Sequence, residues 1–332
     1  MEEGRVISDA ELRTVIRAAT RAPSSHNTQP WFFTFDDDSI SVYADRLRSL
    51  PANDPFDREL TLSCGAALLN LRVRLAALGF EAAPELLPDG PRSDLMARVQ
   101  LEAADREKAV REAHLAAGIE ERRTTRGGFT EAAPDAELVE RMEDAAAAEG
   151  AWLEVVSGRP EREALSELIA TGDQRQFADP TWRRELASWL HPRRSGDGLA
   201  LPGFSRPIAK LVVSAFDLGK TTGRKDARLA DDAPCMLVLG TDLDLDEDWL
   251  KAGQALQRSL LVAAREGVQA GYLNQPCQVS DLRPRLRALL AHDGHAQVVM
   301  RIGYPDSKVD PSPRRDVDQV LQRDFRVTSR FS

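Results

Sequence analysis

The sequence is short of cysteine, basic charge and long apolar runs. Its 332 residues include only three cysteines, Cys64, Cys235 and Cys277, which are widely spaced and form no CxxC pair. A disulfide framework and a structural zinc site are therefore excluded. The chain has 44 basic and 53 acidic residues, a net charge of −9. Because nucleic acids and anionic membrane surfaces attract basic faces, neither is expected as a partner.

Signals for targeting and for common nucleotide folds are also missing. No run approaches the roughly 18 apolar residues that a membrane span needs, and the acidic N-terminal segment lacks the apolar core of a secretory signal. We therefore expect a cytoplasmic protein. The absence of GxGxxG and of a nucleophile elbow argues against a Rossmann dehydrogenase and an α/β-hydrolase. With 42% hydrophobic and 29% charged residues, the composition is that of a globular chain.

Two segments of the chain resemble each other at an offset of 188 residues. Both patterns predict a long buried helix that ends at a glycine and is followed by an apolar strand, near 97–101 and 297–302. The identical pairs are Leu62/Leu250, Gly65/Gly253, Ala67/Ala255, Leu68/Leu256, Ala76/Ala264, Gly79/Gly267 and Ala82/Ala270.

A second internal similarity lies upstream of each of these helices. The string DAEL opens a predicted helix at Asp9 and another at Asp135, and these lead to Trp31 and Trp152. The second copy lacks five residues, where the first reads RAPSSHNTQP. We interpret this as an internal duplication, with halves at 1–118 and 119–332. Residues 171–234 read as an insertion, either a lid over a site or a helical excursion on the surface.

The loop that the second copy lacks carries a dense set of polar groups. Its hydroxyls, amides and backbone N–H groups can bind a planar polar ligand, and the alternative is an ordinary helix-capping and turn cluster. The candidate binding residues are Pro23, Ser24, Ser25, Asn27 and Gln29.

Arginines form the second candidate group. A cluster of guanidinium groups in an acidic chain suits a phosphate, because arginine pairs with it through two parallel hydrogen bonds. The alternative is that the first of these arginines cap a helix end and pair with Glu120 and Glu121. The residues are Arg122, Arg123, Thr124 and Arg126, with Arg314 and Arg315 near the end of the chain.

These motifs resemble those of the nitroreductase family. APSSHNTQPW resembles its flavin-binding loop, and RRTTRGGF at 122–129 resembles the signature that holds the FMN phosphate. The segments GYP (303–305) with Arg314 and Arg315, and GYLNQP (271–276), resemble two shorter family segments, the latter beside the flavin ring. The resemblance implies an α+β nitroreductase-like fold with FMN as cofactor, and it adds Asn274 and Gln275 at the ring edge.

The order of the motifs departs from that of a usual family member, in which the arginine signature precedes the loop. Here the loop lies in the first half and the arginines begin the second. Because family dimers build each flavin site from both subunits, the chain resembles a fused pseudo-dimer with one complete and one incomplete site. This arrangement is similar to the Acg-like branch, and a fused pair predicts a monomer.

The resemblance implies an FMN-dependent oxidoreductase. Hydride would pass from NAD(P)H through FMN to a nitroaromatic or a quinone, with no catalytic side chain and no metal. Ser24, Ser25 and Asn27 would bind the ring and ribityl chain, and the arginines with Thr124 the phosphate. Trp182, Trp189 and His191 are lid candidates. Two alternatives stay open: a flavin-storing protein whose lid blocks the nicotinamide, and a helical scaffold whose motif match is chance.

Overall fold

The computed structural model describes residues 6–36, 38–103, 112–190, 196–199 and 226–322. The described chain mixes helices and strands, as an α+β fold requires. The first half contains helices α1 (Asp9–Thr20) and α2 (Arg58–Ala77), and strands β1 (Trp31–Asp36), β2 (Ser39–Ala44), β3 (Phe80–Glu81), β4 (Pro84–Leu86), β5 (Leu95–Gln100) and β6 (Glu102–Ala103).

The second half repeats this pattern after a short connecting helix, α3 (Ala116–Glu121). Its elements are α4 (Ala136–Ala147), β7 (Trp152–Val155), α5 (Arg159–Ala178), α6 (Pro180–Trp189), β8 (Cys235–Thr241), α7 (Asp246–Arg265), β9 (Gln269–Tyr272), α8 (Gln275–Gln278), α9 (Arg283–Arg287) and β10 (His295–Gly303). The chain then forms α10 (Val317–Val320) and β11 (Leu321–Gln322).

The two DAEL strings begin helices, as the sequence predicts. Ser8 caps α1, because its hydroxyl accepts from the backbone N–H of Glu11 while the Glu11 carboxylate accepts from Ser8. The buried face of α1 then follows helical spacing through Leu12, Val15 and Ile16. In the second half Asp135 is the N-cap residue of α4.

The two halves have the same sheet topology. The first sheet has the strand order β11-β1-β2-β5-β4, and the second has β7-β8-β10-β9. If β11 is set aside, each sheet is antiparallel and has the same order: β1-β2-β5-β4 in the first half corresponds to β7-β8-β10-β9 in the second. Strands β3 and β6 form a separate two-stranded sheet. Because topology and the sequence pairs agree, the chain contains an internal duplication.

The equivalent long helices, α2 and α7, cross at the centre of the molecule through paired glycines. A Cβ atom at Gly65 would collide with the carbonyl oxygen of Leu250, and one at Gly253 with the carbonyl oxygen of Leu62. This reciprocity is that of a pseudo-two-fold axis, as in a symmetric dimer. Among the described helices, only α2 has the length and composition of a membrane span, and 83% of its apolar window is buried inside the fold.

The insertion of the second half lies in the hairpin that corresponds to β1–β2. In the first half Asp36 and Ser39 close that hairpin, whereas β7 ends at Val155 and β8 begins at Cys235. The extra segment therefore starts near residue 156, before the expected position 171. Its described helices are α5, α6 and the helical residues 226–231. Residues 191–195 and 200–225, which include His191, lie outside the described ranges.

Candidate functional site

A cavity of about 400 Å³ lies where the two halves meet, which is within the size range of small-molecule sites, about 300–1,000 Å³. Its walls come from the 23–27 loop, α2, the arginine motif, the residues after β9 and the insertion. Nine of the thirteen binding residues predicted from the sequence line it: Pro23, Ser24, Ser25, Asn27, Thr124, Arg126, Asn274, Gln275 and Arg314.

The loop that provides the first wall has an unusual backbone. His26, Asn27 and Gln29 have φ values of 52°, 55° and 51°, in the left-handed region that most side chains avoid. Such residues persist only where surrounding contacts hold them, and they cluster at binding and catalytic sites. The geometry therefore favours a specialised loop over an ordinary helix cap and turn.

Two side chains, Asn27 and Gln29, bind this loop to other parts of the chain. The Asn27 side chain donates to the carbonyl of Gly198 and to that of Pro313, both at 3.3 Å. The fully buried Gln29 donates to the carbonyl of Gly196 at 2.8 Å and accepts from the backbone of Arg315 at 2.9 Å. Gln29 does not line the cavity. It therefore holds the loop in place through contacts outside the cavity wall.

The arginine motif is placed by a short contact with β9. Residue Thr124 forms a parallel bridge with Ala270, and the backbone N–H of Thr125 donates to the Ala270 carbonyl at 2.8 Å. This contact holds the motif beside β9, whose last residue, Tyr272, also lines the cavity. Arg126 is exposed overall, yet its side chain lines the cavity.

Arg122 and Arg314 converge on the C-terminal end of α1. Each donates to the carbonyl of Arg21, at 2.9 and 3.1 Å, and Arg314 also reaches the carbonyl of Ala22. A cation is stabilised there by the negative end of the helix dipole. Arg122 is 5% exposed and does not line the cavity, so its observed contacts are those of a helix-capping residue, whereas Arg314 both caps and lines.

Arg123 and Arg315 also lie outside the cavity wall. Arg123 donates to the backbone carbonyl of Glu120 at 2.6 Å. Arg315 donates to the carbonyls of Gln29 and Trp31 and forms an ion pair with Asp45 at 3.5 Å. Both guanidinium groups thus hold backbone segments, and Arg315 supports the loop.

Several lining residues were not anticipated from the sequence. Arg301 is 2% exposed on β10 and donates to the carbonyl of Gly127 at 2.7 Å. A charged residue inside the apolar string VVMRI is the one signal that could have identified it, since arginine is rarely buried without a partner. Thr125, Tyr272 and Asn53 also line the cavity.

Glu59, near the start of α2, lines the cavity and accepts hydrogen bonds from several other lining residues. Its carboxylate accepts from Ser25 at 2.5 Å and from both the Gln278 and Asn274 amides, at 3.0 and 3.4 Å, and it pairs with Arg58 at 3.4 Å. A buried carboxylate with this many donors is held in one orientation. It therefore fixes the Ser25 hydroxyl and the Asn274 side chain relative to each other.

Burial shifts the ionisation of groups around the cavity. Desolvation, with a smaller contribution from nearby Arg126, lowers the pKa of His26 to about 4. Burial also lowers the pKa of Arg122 and of Arg301 and raises that of Tyr272. His26 is therefore neutral at pH 7, while the arginines remain cationic.

The pseudo-equivalent second site is filled by side chains. Ala66 lines the cavity, but its counterpart in the duplication is Gln254, which is 2% exposed and accepts from Arg72 at 2.7 Å. Glu149, in the short segment that replaces the polar loop, accepts from Arg72 and Arg258, both at 2.7 Å. Among the described residues, the position pseudo-equivalent to the cavity wall is therefore occupied by buried polar side chains that bind one another.

The insertion contributes an aromatic and apolar wall to the cavity. Phe177 and Trp182 meet edge to face, with ring centroids 5.0 Å apart, and Leu186 and Leu199 extend this wall. Trp189, the other described lid candidate, does not line the cavity and instead lies against the guanidinium of Arg48.

Comparison with known proteins identifies the family. No family model matches the sequence. The chain is 31% identical over 323 residues to a Mycobacterium tuberculosis protein named "Putative NAD(P)H nitroreductase", covering 95% of this chain and 92% of the relative. It is 30% identical over 339 residues to "Putative NAD(P)H nitroreductase acg" of the same organism, covering 97% and 98%. The chain belongs to the nitroreductase family.

Solved nitroreductase-like structures also align with the chain. The FMN- and NADPH-dependent nitroreductase NfnB of a Sphigopyxis strain has 18% identity and a TM-score of 0.41 over 63% of this chain and 97% of its own. An FMN-bound iodotyrosine deiodinase has 15% identity and a TM-score of 0.42, covering 61% and 96%. At these TM-scores the family assignment rests on the sequence relatives. With it, the expected nitroreductase-like α+β fold and the resemblance to acg are confirmed.

Proposed function

We propose that this nitroreductase-family protein binds one FMN in the cavity and uses it to reduce an electron-poor small molecule. The proposal depends on one observation: the polar loop of the first half and the arginine motif of the second half line the same cavity. Neither half contains both groups, so the duplication itself assembles the site.

The residues present fit FMN. The cavity wall carries three guanidinium groups, from Arg126, Arg301 and Arg314, in a protein of net charge −9; a phosphate requires such donors. The buried Thr125 Oγ1 and Gln275 Oε1 atoms make no hydrogen bond within the described structure. Buried polar atoms are normally satisfied, so both favour a polar ligand.

The chain's own residues would bind and orient the cofactor. Arg126 and Arg314, with Thr124, would hold the phosphate, while Ser24, Ser25 and Asn27 would face the ring and ribityl chain. Asn274 and Gln275 would lie at the ring edge. Arg122, Arg123, Gln29 and Arg315 would act indirectly by fixing the helix end, the motif and the loop. When bound, FMN supplies the hydride chemistry between NAD(P)H and an acceptor such as a nitroaromatic or a quinone.

A second candidate function is FMN storage without nicotinamide turnover. It is favoured by the insertion, whose Phe177, Trp182 and Leu186 line the cavity and take up room beside it. Storage requires the same binding residues but a site that a nicotinamide ring does not enter.

The test is an anaerobic titration of the purified full chain after reconstitution with FMN. We expect a bound flavin spectrum that NADPH or NADH bleaches and a quinone restores. A flavin that only dithionite bleaches would replace turnover by storage. A protein that takes up no flavin would refute both functions and leave a scaffold role.

A further inference from the structure

A pair of carboxyl groups lies in the cavity wall that the insertion contributes. Asp173 on α5 and Asp226, the first described residue of the helical segment 226–231, both line the cavity. The Gln275 amide donates to Asp173 at 3.1 Å and to Asp226 at 3.0 Å. One amide nitrogen therefore binds an oxygen of each carboxyl group, and the other Asp173 oxygen, Oδ2, is buried with no hydrogen-bond donor among the described residues.

A close approach of helix α5 to Gln275 places Asp173 beside this amide. A Cβ atom at Gly172 would lie 2.5 Å from the Cβ of Gln275, so only glycine lets α5 approach this closely. Because Asp173 follows directly, its side chain reaches the Gln275 amide. Asp173 is 2% exposed. Bringing two carboxyl groups together in such a place is costly unless they share a proton.

The groups that face the pair leave it one proton near neutral pH. Burial first, and then the Asp226 carboxylate, raise the pKa of Asp173 to about 7. From β10, Arg301 interacts electrostatically with Asp226. From α5, the neutral Gln176 is bound to Gln278 at 2.7 Å, and Glu59 on α2 is occupied by its own donors. Arg301 therefore compensates one negative charge on the two carboxyl groups. No described cation beside the pair compensates a second negative charge, so one carboxyl group keeps its proton.

We propose that Asp173 and Asp226 are the proton donor of this site and deliver their shared proton to an oxygen of the acceptor during its reduction. The proposal rests on the proposed flavin function. Reduction of a quinone carbonyl pair adds a hydride equivalent, which reduced flavin supplies, and one proton. The O–H bond of the pair breaks, an O–H bond forms on the acceptor, and two carboxylates remain until solvent returns a proton.

The other titratable groups on the described cavity wall suit this role less well at neutral pH. Burial raises the pKa of Tyr272, so its hydroxyl holds its proton more tightly than a free tyrosine. His26 has a pKa of about 4, so only a small fraction of it is protonated at neutral pH. Glu59 accepts hydrogen bonds from five side chains, including the cationic Arg58. The arginines bind their protons too tightly to release them. General acids work best when their pKa lies near the working pH, and they contribute about 10²- to 10⁴-fold in rate.

The first test needs neither flavin nor turnover. Infrared difference spectra of the wild type minus Asp173→Asn, and minus Asp226→Asn, are recorded as a function of pH. We expect the stretch of a protonated carboxyl group that disappears from the wild type near pH 7 and is missing from both variants. Two carboxylates that are fully ionised at pH 6 would overturn the proposal.

The second test follows reoxidation of the dithionite-reduced holoprotein by a quinone, which does not depend on NAD(P)H. We expect both variants to reoxidise at least about 100-fold more slowly than the wild type at pH 7. The wild-type rate should fall as pH rises through about 7, and this pH dependence should vanish in the variants. Glu167→Gln, an exposed change on the same helix, is the control.

The outcomes separate the two claims. Variant rates equal to those of the wild type would overturn the donor role while leaving the flavin function intact. A chain that binds no FMN would remove the flavin function and the donor role with it, whereas the infrared titration would still report whether the pair holds a proton. Thermal melts of both variants show whether they remain folded.

Discussion

At the scale of single residues, the guanidinium groups of this nitroreductase-family protein divide by what they face. Arg126 lines the cavity, Arg301 and Arg314 line it while also donating to backbone carbonyls, and Arg123 donates to backbone carbonyls outside it. A sequence string gives the charge but not the direction of the side chain. This is why the motif RRTTR predicts a cationic cluster but cannot separate a ligand contact from a helix-capping contact.

The first prediction concerns Arg126. Arg126→Gln removes an exposed lining cation and should weaken FMN binding about tenfold or more, because hydrogen bonds to charged groups contribute about 1.5–3 kcal/mol. Arg141→Gln, which removes an exposed cation on α4 outside the cavity wall, is the matched control. The dissociation constant is measured by quenching of FMN fluorescence. Equal affinities in the two variants would remove Arg126 from the proposed phosphate site.

The second prediction concerns His26 and acid stability. The pKa of His26 is about 4 in the folded protein and 6.5 in the unfolded chain. The unfolded chain therefore binds the proton more tightly than the folded protein, and acid favours unfolding. Stability contributed by neutral His26 is complete above pH 6.5 and is lost between 6.5 and 4. The loss at pH 5 should be about 2 kcal/mol.

Urea unfolding at pH 7 and pH 5 checks the His26 prediction. His26→Asn, which suits the left-handed backbone of this position, should show a smaller loss between the two pH values than the wild type. The exposed His114→Asn variant is the control. A wild type and His26→Asn that lose the same stability would contradict the assignment.

At the scale of elements, helix α6 is bound to the first half by hydrogen bonds of Glu185 and Trp182. Glu185 accepts from the backbone N–H groups of Ala52 and Asn53, at 2.8 and 2.9 Å, and the Trp182 indole donates to Asn53 at 2.9 Å. These contacts dock one helix of the insertion against the cavity. Charge-assisted bonds of this kind are stronger than neutral ones.

The third prediction is that Glu185→Gln loosens this docking. The amide loses the charge and turns one acceptor into a donor that faces an N–H group, so we expect faster release of bound FMN and faster proteolysis between α5 and α6. Glu163→Gln, on the exposed face of the preceding helix, is the control. Unchanged release in Glu185→Gln would show that α6 does not restrict the site.

The sequence predicted elements well where the pattern is long and bounded. The periodicity and terminal glycines located α2 and α7, and the DAEL strings located α1 and α4. The start of the insertion was missed because α5 begins as an ordinary polar helix. No change in composition at residue 156 marks the interrupted hairpin. A hairpin is defined by its pairing partner, which the local sequence does not carry.

At the scale of the whole molecule, the fused pair depends on the crossing of α2 and α7. Gly65→Ala and Gly253→Ala should each destabilise the protein by about 1–3 kcal/mol, because the added methyl group meets a backbone carbonyl that cannot move locally. Gly127→Ala, whose Cβ meets nothing nearer than 4.0 Å, is the control. Chemical denaturation measures all three. Two unequal glycine effects would contradict the pseudo-two-fold symmetry.

The fusion also predicts the stoichiometry. With the second site filled by Gln254, Glu149 and Arg72, the reconstituted protein should bind one FMN per chain and should elute as a monomer. Flavin absorbance against protein mass, with light scattering, measures both. Two flavins per chain would show that the buried ion pairs open to admit a ligand. The duplication could be recognised from sequence, but the filling of the second site depends on contacts between distant residues.

The return of the chain to its first sheet has a consequence for synthesis. β11 pairs in parallel with β1, and Ser312 and Arg314, just before it, line the cavity. On a ribosome, therefore, the loop at 23–29 emerges about three hundred residues before the wall that completes its pocket. A nascent or truncated product that stops short of Ser312 lacks this wall. If the cavity binds FMN as proposed, a growing chain would bind it only after residues 312–314 had been synthesised.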